Sequence, residues 1–115
     1  MKRIVHVDHS EFFRKFMRNF LKKEGFEAES FSSAQESSVA ISGGIADMVI
    51  VGLTFADAEG EEFLKNLQDA YSGPVIVLSS SVDDRRDDLL RLGVTDAISK
   101  TDAWQERLRF HLAAL

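Results

Sequence analysis

Short, mostly apolar runs alternate along this chain with longer segments in which apolar residues recur at every third or fourth position. Runs such as Ile4–Val7, Met48–Val51 and Val75–Ser79 are typical of strands that are buried on both faces of a parallel sheet. The segments between the runs are long enough for helices, and strands separated by helices pair in parallel through right-handed crossovers. The pattern therefore predicts one α/β domain of five βα units.

Capping residues and glycines indicate where the predicted helices begin and end. Ser10 can cap a first helix that continues to about Glu24, and Gly25 ends it. Ser33 and Glu36 have the spacing of a capping box for the second helix. We interpret the apolar residues of the first helix as core residues, and they are Phe12, Phe13, Phe16, Met17, Phe20 and Leu21.

The rest of the chain continues the same alternation. Phe26–Phe31 is more polar than the other predicted strands, as expected for a strand at the edge of a sheet. Asp83–Leu92 is predicted to be a charged helix, and the short strand Ala97–Ser99 precedes a last helix. Asp102 and Gln105 can cap that last helix.

Composition excludes several classes of partner and site. The 115 residues carry a formal net charge of −5, and we see no cluster of Lys and Arg of the kind that binds nucleic acid. The absence of cysteine excludes disulfides and thiolate metal sites. No segment reaches the roughly 20 apolar residues of a membrane span, and the basic N-terminus is followed by too short an apolar run for a signal peptide. We therefore expect a cytoplasmic protein that binds neither nucleic acid nor membrane.

Polar residues and a glycine follow the predicted strands. Asp8 and His9 come after the first strand, Gly52 after the third, Ser79 ends the fourth and Lys100 follows the fifth. In an open α/β sheet the carboxyl ends of the strands form the edge where ligands and reactive groups gather. The sequence thus places its candidate site at this edge.

The chain resembles the receiver domain of two-component response regulators, the CheY-like family, from Lys2 to about Leu115. The order and spacing of the matching segments carry the resemblance. These segments are Ile4–Ser10, Asp47–Leu53 leading to Glu59 and Gly60, Pro74–Ser80, and Leu92–Asp96 running into Lys100. The resemblance implies a doubly wound, flavodoxin-like (βα)5 fold whose parallel strands have the order 2-1-3-4-5, and a single receiver-like domain over residues 1–115. That domain can be a whole protein or the N-terminal part of a longer regulator.

The resemblance implies a phosphoryl switch, yet this sequence departs from it at the reacting positions. In the family an aspartate at the end of the third strand accepts phosphate from a histidine kinase with the help of Mg²⁺, and here that position is Gly52. The family's acidic pair after the first strand matches Asp8 and His9. Mg²⁺ prefers hard oxygen ligands, and an imidazole offers nitrogen. We therefore expect no phosphorylation at the usual site, weak or absent Mg²⁺ binding and no enzymatic activity.

The family's other pocket residues are only partly kept. Its hydroxyl switch residue and its lysine match Ser79 and Lys100. The proline that usually follows the lysine in a cis peptide is Thr101 here, and because a cis bond before another residue costs roughly 2.5 to 4 kcal/mol, we expect a trans peptide. The aromatic residue of the switch matches Ala97. We interpret Asp8, His9, Gly52, Ser79, Lys100 and Thr101 as a vestigial pocket.

Several of these residues have more than one reading. Gly52 is either drift at a dead site or a position that something approaches closely. Asp8 is either a metal ligand, alone or with His9, or a partner of backbone amides or of Lys100. Lys100 either pairs with Asp8 or marks an anion site.

Two histidines lie outside this set. His6 is expected to be a hydrogen-bonded structural histidine. His111 is expected to have a packing or helix C-terminal role.

If the domain is not phosphorylated, it can still act through a surface that binds other proteins. In the family the fourth helix, fifth strand and fifth helix carry dimer and output contacts. Here that face holds arginines near a tryptophan, a combination that is common in interface hot spots, although mixed charge is also typical of a plain solvated face. The candidate interface residues are Arg85, Arg86, Arg91, Trp104 and Arg107. In the loop after Gly52, Phe55 is expected to fill the vacated pocket.

Three hypotheses follow. The leading one is a degenerate receiver that signals through protein–protein contacts, with other signalling proteins, a fused output domain or a second copy as partner. The second is a phosphoryl-accepting receiver with a displaced acceptor, for which Thr54 and Asp57 are candidates. The third is a small-ligand site in the pocket, although no glycine-rich phosphate loop follows the first strand.

Overall fold

The computed structural model describes residues 1–53 and 60–115. Its centre is a five-stranded parallel sheet with the strand order β2-β1-β3-β4-β5. The strands are β1 (Arg3–Val7), β2 (Glu27–Phe31), β3 (Met48–Val51), β4 (Val75–Ser79) and β5 (Asp96–Ser99). The helices are α1 (Glu11–Lys23), α2 (Ala34–Ser42), α3 (Gly60–Ala70), α4 (Arg86–Arg91) and α5 (Trp104–Ala113). The doubly wound fold and its strand order are confirmed.

The two faces of the sheet have separate hydrophobic cores. On one face Ile4 and Ile50 pack with α1 and α5, represented by Met17 and Leu108. On the other face the alternate residues of the same strands pack with α2, α3 and α4, of which Phe63 is an example. Every residue of β3 and β4 is buried. This burial explains why the two strands are nearly continuous apolar runs in the sequence. No residue of the edge strand β2 is fully buried, and the strand is more polar than the others, as its sequence predicts.

The predicted caps are present at two helices and absent at a third. Ser10 Oγ accepts a hydrogen bond from the Phe13 amide at 3.1 Å, and Ser33 Oγ accepts one from the Glu36 amide at 3.2 Å. The predicted cap of the last helix is wrong. The N-cap position is Ala103, no side chain caps α5, and Asp102 Oδ1 instead accepts a hydrogen bond from the Ala103 amide at 2.9 Å.

Two further expectations at the elements need correction. The charged helix expected from Asp83 is a 3₁₀ turn over Asp83–Arg85 that continues as α4. The phenylalanines of α1 are not all core residues, because Phe12 is 77% exposed and Phe16 is 45% exposed. The stripe of apolar positions on α1 is wider than the area that the sheet and α5 cover.

Trp104 lies in the core, where its ring joins α5 to α1. It is 5% exposed, and its ring centroid lies 5.4 Å from that of Phe13 and 5.2 Å from that of Phe20. The structure thus places the candidate interface residue Trp104 in the core, where its ring offers almost no surface to a partner. Its position at the first turn of α5 turns the ring toward α1, where aromatic pairs are favourable beyond the area they bury.

No helix in the described part of the chain has the length and apolar character needed to cross a bilayer.

The contact between Gly60 and the backbone of Leu53 gives the first prediction. A Cβ atom at Gly60 would overlap the carbonyl of Leu53, and neither backbone can yield easily. We expect Gly60→Ala to lower the free energy of unfolding by about 1 to 3 kcal/mol, a typical cost of overpacking. Urea unfolding measures the change. Gly43→Ala is the matched control, since a Cβ there would meet the Ala40 carbonyl at an ordinary 3.4 Å, and a Gly60→Ala protein as stable as the control would contradict the prediction.

Candidate functional site

The residues at the carboxyl ends of the strands form one shallow cavity of about 230 Å³. Asp8 and Gly52 follow the two neighbouring strands β1 and β3, Ser79 ends β4, and Lys100 follows β5. The cavity is also lined by His9, Ser10, Leu53 and Ser80. The structure therefore brings together the residues that the sequence placed at this edge, with the exception of Thr101.

An ion pair between Lys100 and Asp8 crosses the cavity. Lys100 Nζ lies 2.8 Å from Asp8 Oδ2, and the Asp8 side chain is only 5% exposed. The other carboxylate oxygen, Oδ1, accepts a hydrogen bond from the Ser10 amide at 2.8 Å. Both partners expected for Asp8 as an alternative to a metal, a backbone amide and Lys100, are thus present, and each of its oxygens has one.

The Lys100 ammonium packs over the face of the Phe13 ring. Lys100 Nζ lies 4.0 Å from the centroid of the Phe13 ring, a distance at which the cation is attracted by the negative face of the ring. Phe13 in turn contacts Trp104, so the lysine sits at the end of the aromatic cluster between α1 and α5. The Lys100 ammonium therefore lies between the Asp8 carboxylate and the Phe13 ring.

Gly52 lies directly beneath the Asp8 carboxylate. Its amide donates to the Val7 carbonyl at 2.8 Å, and a Cβ atom on Gly52 would lie 3.3 Å from Asp8 Oδ2. That distance is tighter than most Cβ contacts, so any side chain here would require Asp8 to move. The structure favours the second reading of Gly52, a position that another group approaches closely.

The side chains of Ser79 and Thr101 form hydrogen bonds within their own loops. Ser79 Oγ lies 3.3 Å from Ser81 Oγ and accepts from the Ser81 amide at the same distance. Thr101 is exposed, its Oγ1 lies 2.7 Å from Ser99 Oγ, and its amide donates to that oxygen at 3.2 Å. As expected, Lys100–Thr101 is a trans peptide, and no cis bond occurs in the described residues.

The residues of the pocket do not fit Mg²⁺ well. Among the described residues that line the cavity, Asp8 is the one carboxylate, and both of its oxygens already have a cationic or amide partner. His9 is exposed and offers nitrogen, whereas Mg²⁺ requires several oxygen ligands in octahedral geometry. Within the residues that the structure describes, no three His, Cys, Asp or Glu side chains are grouped so as to hold a metal.

His6 is buried without the hydrogen bonds expected of it. Both ring nitrogens are inaccessible to solvent and lack a partner within the described residues, and Nε2 lies 3.8 Å from Asp8 Oδ2. Burial lowers the pKa of His6 to about 4, and Lys100, Arg14 and Arg18 act in the same direction against the Asp8 carboxylate. His6 is therefore a neutral buried ring near pH 7. The prediction that its ring is hydrogen-bonded is wrong for the described residues.

A second buried carboxylate, Asp96, was not recognised in the sequence. It lies at the start of β5 and is 6% exposed. Arg86 Nη2 from α4 is 3.0 Å from its Oδ1, and Arg107 Nη2 and His111 Nε2 from α5 are each 2.8 Å from its Oδ2. Burial would raise the pKa of Asp96, but the hydrogen bonds from His111, the Ala97 amide and Arg107 outweigh it and lower the pKa.

The candidate interface arginines all have partners within the chain. Arg86 and Arg107 bind Asp96, and Arg86 also donates to the Ala97 carbonyl. Arg85 Nη2 lies 2.7 Å from Glu61 Oε1, and Arg91 Nη1 lies 2.9 Å from Asp88 Oδ1. His111 has its role at Asp96, which the sequence did not indicate. Phe55, Thr54 and Asp57 lie outside the described residues.

Comparison with known proteins identifies the family. The sheet order and the site at its carboxyl edge define a CheY-like signalling domain, and the response regulator receiver domain family matches residues 4–110. The chain belongs to this family. It is also 28% identical over 101 residues to the KDP operon transcriptional regulatory protein KdpE of Escherichia coli, a match that covers 87% of this chain and 45% of that protein. The chain thus spans about half the length of this relative.

Solved structures show the same fold at low sequence identity. The receiver domain of the Francisella response regulator 1452 superposes with a TM-score of 0.88 at 17% identity, covering 99% of this chain and 95% of that one. The BeF3-activated N-terminal receiver domain of Klebsiella pneumoniae RstA superposes with a TM-score of 0.87 at 23% identity, covering 96% and 98%. At these identities the likeness concerns the fold alone.

Removing the cation of the pocket gives a second prediction. Lys100→Met keeps the side-chain stem against Phe13 but leaves the buried Asp8 carboxylate without its cation. We expect the free energy of unfolding at pH 7 to fall by about 2 to 3 kcal/mol, because an uncompensated buried charge is costly. Urea unfolding measures it.

The control is Lys65→Met at an exposed position of α3, for which no loss is expected. Adding Asp8→Asn to Lys100→Met should recover part of the stability, because it removes the unpaired charge. A Lys100→Met protein as stable as the Lys65→Met protein would contradict the ion pair's role.

The buried His6 gives a third prediction, on pH. The pKa of His6 is about 4 in the folded chain, against about 6.5 for an ordinary histidine side chain. The unfolded chain therefore binds a proton that the folded chain excludes, and stability falls as the pH falls from about 6.5 to 4. The loss is roughly 3 kcal/mol at most, from 1.36 kcal/mol per pKa unit.

His6→Leu should abolish this slope in urea unfolding measured between pH 7 and 4.5, above the range in which most carboxylates titrate. His9→Asn is the control and should keep the slope, because His9 is exposed. The same slope in wild type and His6→Leu would show that His6 is not its source.

Proposed function

We propose that this receiver domain signals without accepting a phosphoryl group and acts through contacts with other signalling proteins or a fused output domain. The observation that carries the proposal is the ion pair between Lys100 and Asp8 over Gly52. It occupies the place where the reacting carboxylate and the metal would be needed. We also propose that Mg²⁺ binding is weak or absent.

The chemistry of phosphoryl transfer supports this proposal. The transfer requires an aligned nucleophile and neutralisation of charge on the transferred group. Gly52 provides no nucleophile, the Asp8 oxygens are engaged, and the charge of Lys100 is already neutralised by Asp8. An incoming phosphoryl group would have to break this buried pair without gaining an acceptor.

The residues that would transmit a switch support the same conclusion. Ser79 is bonded to Ser81 in its own loop. Ala97 is fully buried and carries no ring that could rotate between two positions. The residues at the two switch positions of the family, Ser79 and Ala97, are therefore both small, which supports a domain that does not report an event at Gly52 through them.

The decisive experiment is intact mass and Trp104 fluorescence with and without Mg²⁺, acetyl phosphate and beryllofluoride. We expect no added mass and an unchanged spectrum. Trp104 is a suitable reporter because Phe13 connects it to Lys100. The receiver domain of RstA, solved in a BeF3-activated form, is the reagent control.

Two outcomes separate the alternatives. A stable phosphoryl adduct would sink the proposal and favour a displaced acceptor, with Asp8 and the undescribed Thr54 and Asp57 to be tested by substitution. A Gly52→Asp/His9→Asp variant restores the acidic residues of the family, and we expect its Trp104 fluorescence to change when Mg²⁺ is added. That result would identify the missing carboxylates as the reason why the unaltered protein does not respond.

A further inference from the structure

The two edges of the sheet differ in how far they are covered. All residues of β5 are buried, and Arg86 from α4 donates to the carbonyl of Ala97 within that strand. At the other edge, no residue of β2 is fully buried. An open edge strand presents backbone amides and carbonyls that can pair with a further strand. Within the described part of the chain, β2 is therefore the edge at which a strand can be added.

The hydrogen bonds to β1 show which backbone groups of β2 point outward. The Glu27 amide donates to the Lys2 carbonyl at 3.0 Å, and the Phe31 carbonyl accepts from the first amide after β1 at 3.0 Å. The backbone groups of successive residues in a strand point to alternate sides. The amide and carbonyl groups of Ala28 and Ser30 therefore point away from β1, toward the open edge.

A groove of about 830 Å³ follows this edge, between β2 and α1. Glu27 and Glu29 line it from one face of β2. Ala28 lines it from the other face, where it packs against the core beneath α1. The α1 side of the groove is formed in part by Arg18 and Lys22. Because both faces of β2 contribute to the lining, the groove lies where the next strand of the sheet would lie.

The two walls of the groove differ in charge. On the α1 side, Arg18 and Lys22 are exposed and form no ion pair with the described residues. On the opposite side, Glu27 and Glu29 share one cation, Arg3, at 3.3 Å and 3.7 Å, so that one negative charge is left over. The side chains of an added strand would point alternately to these two walls.

We propose that β2 pairs with an extended segment of another protein in which basic and acidic residues alternate. The backbone of that segment would form hydrogen bonds with the outward groups of Ala28 and Ser30. Its basic side chains would meet Glu27 and Glu29, and its carboxylates would meet the cations on the α1 side. In strand addition of this kind the main-chain hydrogen bonds supply affinity, and the alternate side chains supply specificity.

The charges on β2 disfavour a second copy as the added strand. In an antiparallel pair of β2 strands centred on Ala28, Glu27 of each copy would lie opposite Glu29 of the other. Like charges directly opposite each other are unfavourable in a sheet. The same glutamates thus repel a second copy and attract a basic side chain, which is how a charged edge discriminates between partners.

The proposal deepens the proposed function, on which it rests for the expectation that the domain acts through a protein partner. No described residue that lines the groove also lines the pocket that holds Asp8 and Lys100. Strand addition can therefore be tested without a phosphodonor. Its failure would leave the phosphorylation result unchanged.

The test is amide hydrogen exchange of the protein with and without a short synthetic peptide of alternating lysine and glutamate. We expect the Ala28 and Ser30 amides to exchange rapidly in the free protein and to become protected when the peptide binds. The Glu29 amide points toward β1 and should be protected in both states. This alternation along one strand distinguishes backbone pairing from a contact made by side chains alone.

Three altered peptides serve as controls. A peptide of the same composition in which two glutamates alternate with two lysines presents both charges to each wall, and we expect it to bind about tenfold more weakly. N-methylation of all lysine amides, or of all glutamate amides, blocks one edge of the peptide strand at a time. One of the two methylated peptides should retain binding and the other should lose it, because only one edge of the peptide faces β2.

Variants of the protein test the same contact from the other side. Ala28→Pro removes an outward amide and no hydrogen bond to β1, and proline is tolerated where the amide of an edge strand faces solvent. Glu29→Lys reverses a charge of one wall. Each should weaken binding by about tenfold. Asp69→Lys, at an exposed position of α3, should leave the affinity unchanged, and urea unfolding checks that each variant is folded.

Several results would overturn the proposal. They are no binding of the alternating peptide, no protection of the Ala28 and Ser30 amides, equal binding of the two methylated peptides, or equal weakening by Asp69→Lys. A dimer of the protein alone in sedimentation that Ala28→Pro dissociates would assign the edge to a second copy and would also overturn it.

Discussion

The ion pair between Asp8 and Lys100 is the interaction on which the pocket depends. It spans from the end of β1 to the loop after β5, over the glycine that follows β3. Gly52 leaves room for the Asp8 carboxylate, since a Cβ there would lie 3.3 Å from Asp8 Oδ2 and would require a shift of a few tenths of an ångström. Breaking a buried pair by removing one partner is costly, whereas the intact pair contributes little net stability. The contact places Lys100 Nζ 2.8 Å from Asp8 Oδ2, across the carboxyl edge of the sheet.

Two buried carboxylates organise opposite ends of the sheet. Asp8 lies at the carboxyl ends of the strands and forms an ion pair with Lys100. Asp96 is the first residue of β5, at the opposite end of the strand, and forms ion pairs with Arg86, Arg107 and His111. Asp96 thereby joins α4, β5 and α5. The charges on the surface therefore differ, because the cations near Asp96 are neutralised within the chain, whereas the lysines of α1 form no ion pair with the described residues.

Aromatic side chains connect the pocket to the α1–α5 side of the sheet. Phe13 contacts both Lys100 and Trp104, and Trp104 contacts Phe16 and Phe20. His6 also belongs to this region, with its ring centroid 5.9 Å from that of Phe13. A neutral, buried imidazole and a ring under the ammonium surround the ion pair with apolar surface, which strengthens electrostatic attraction in its neighbourhood.

The sequence by itself determined the fold, the edge that carries the candidate site and the glycine that follows the third strand. Apolar runs, caps at Ser10 and Ser33, and Gly52 are local signals, and the carboxyl ends of parallel strands necessarily meet at one edge. Only the tertiary structure decided which rings of α1 are covered, that Trp104 is buried, and that Asp96 gathers three cations. Apolar spacing on a helix shows a stripe but not its covered width, and the partners of Asp96 lie 10 to 15 positions away on two helices. Their meeting depends on how those helices cross the sheet, which no local pattern specifies.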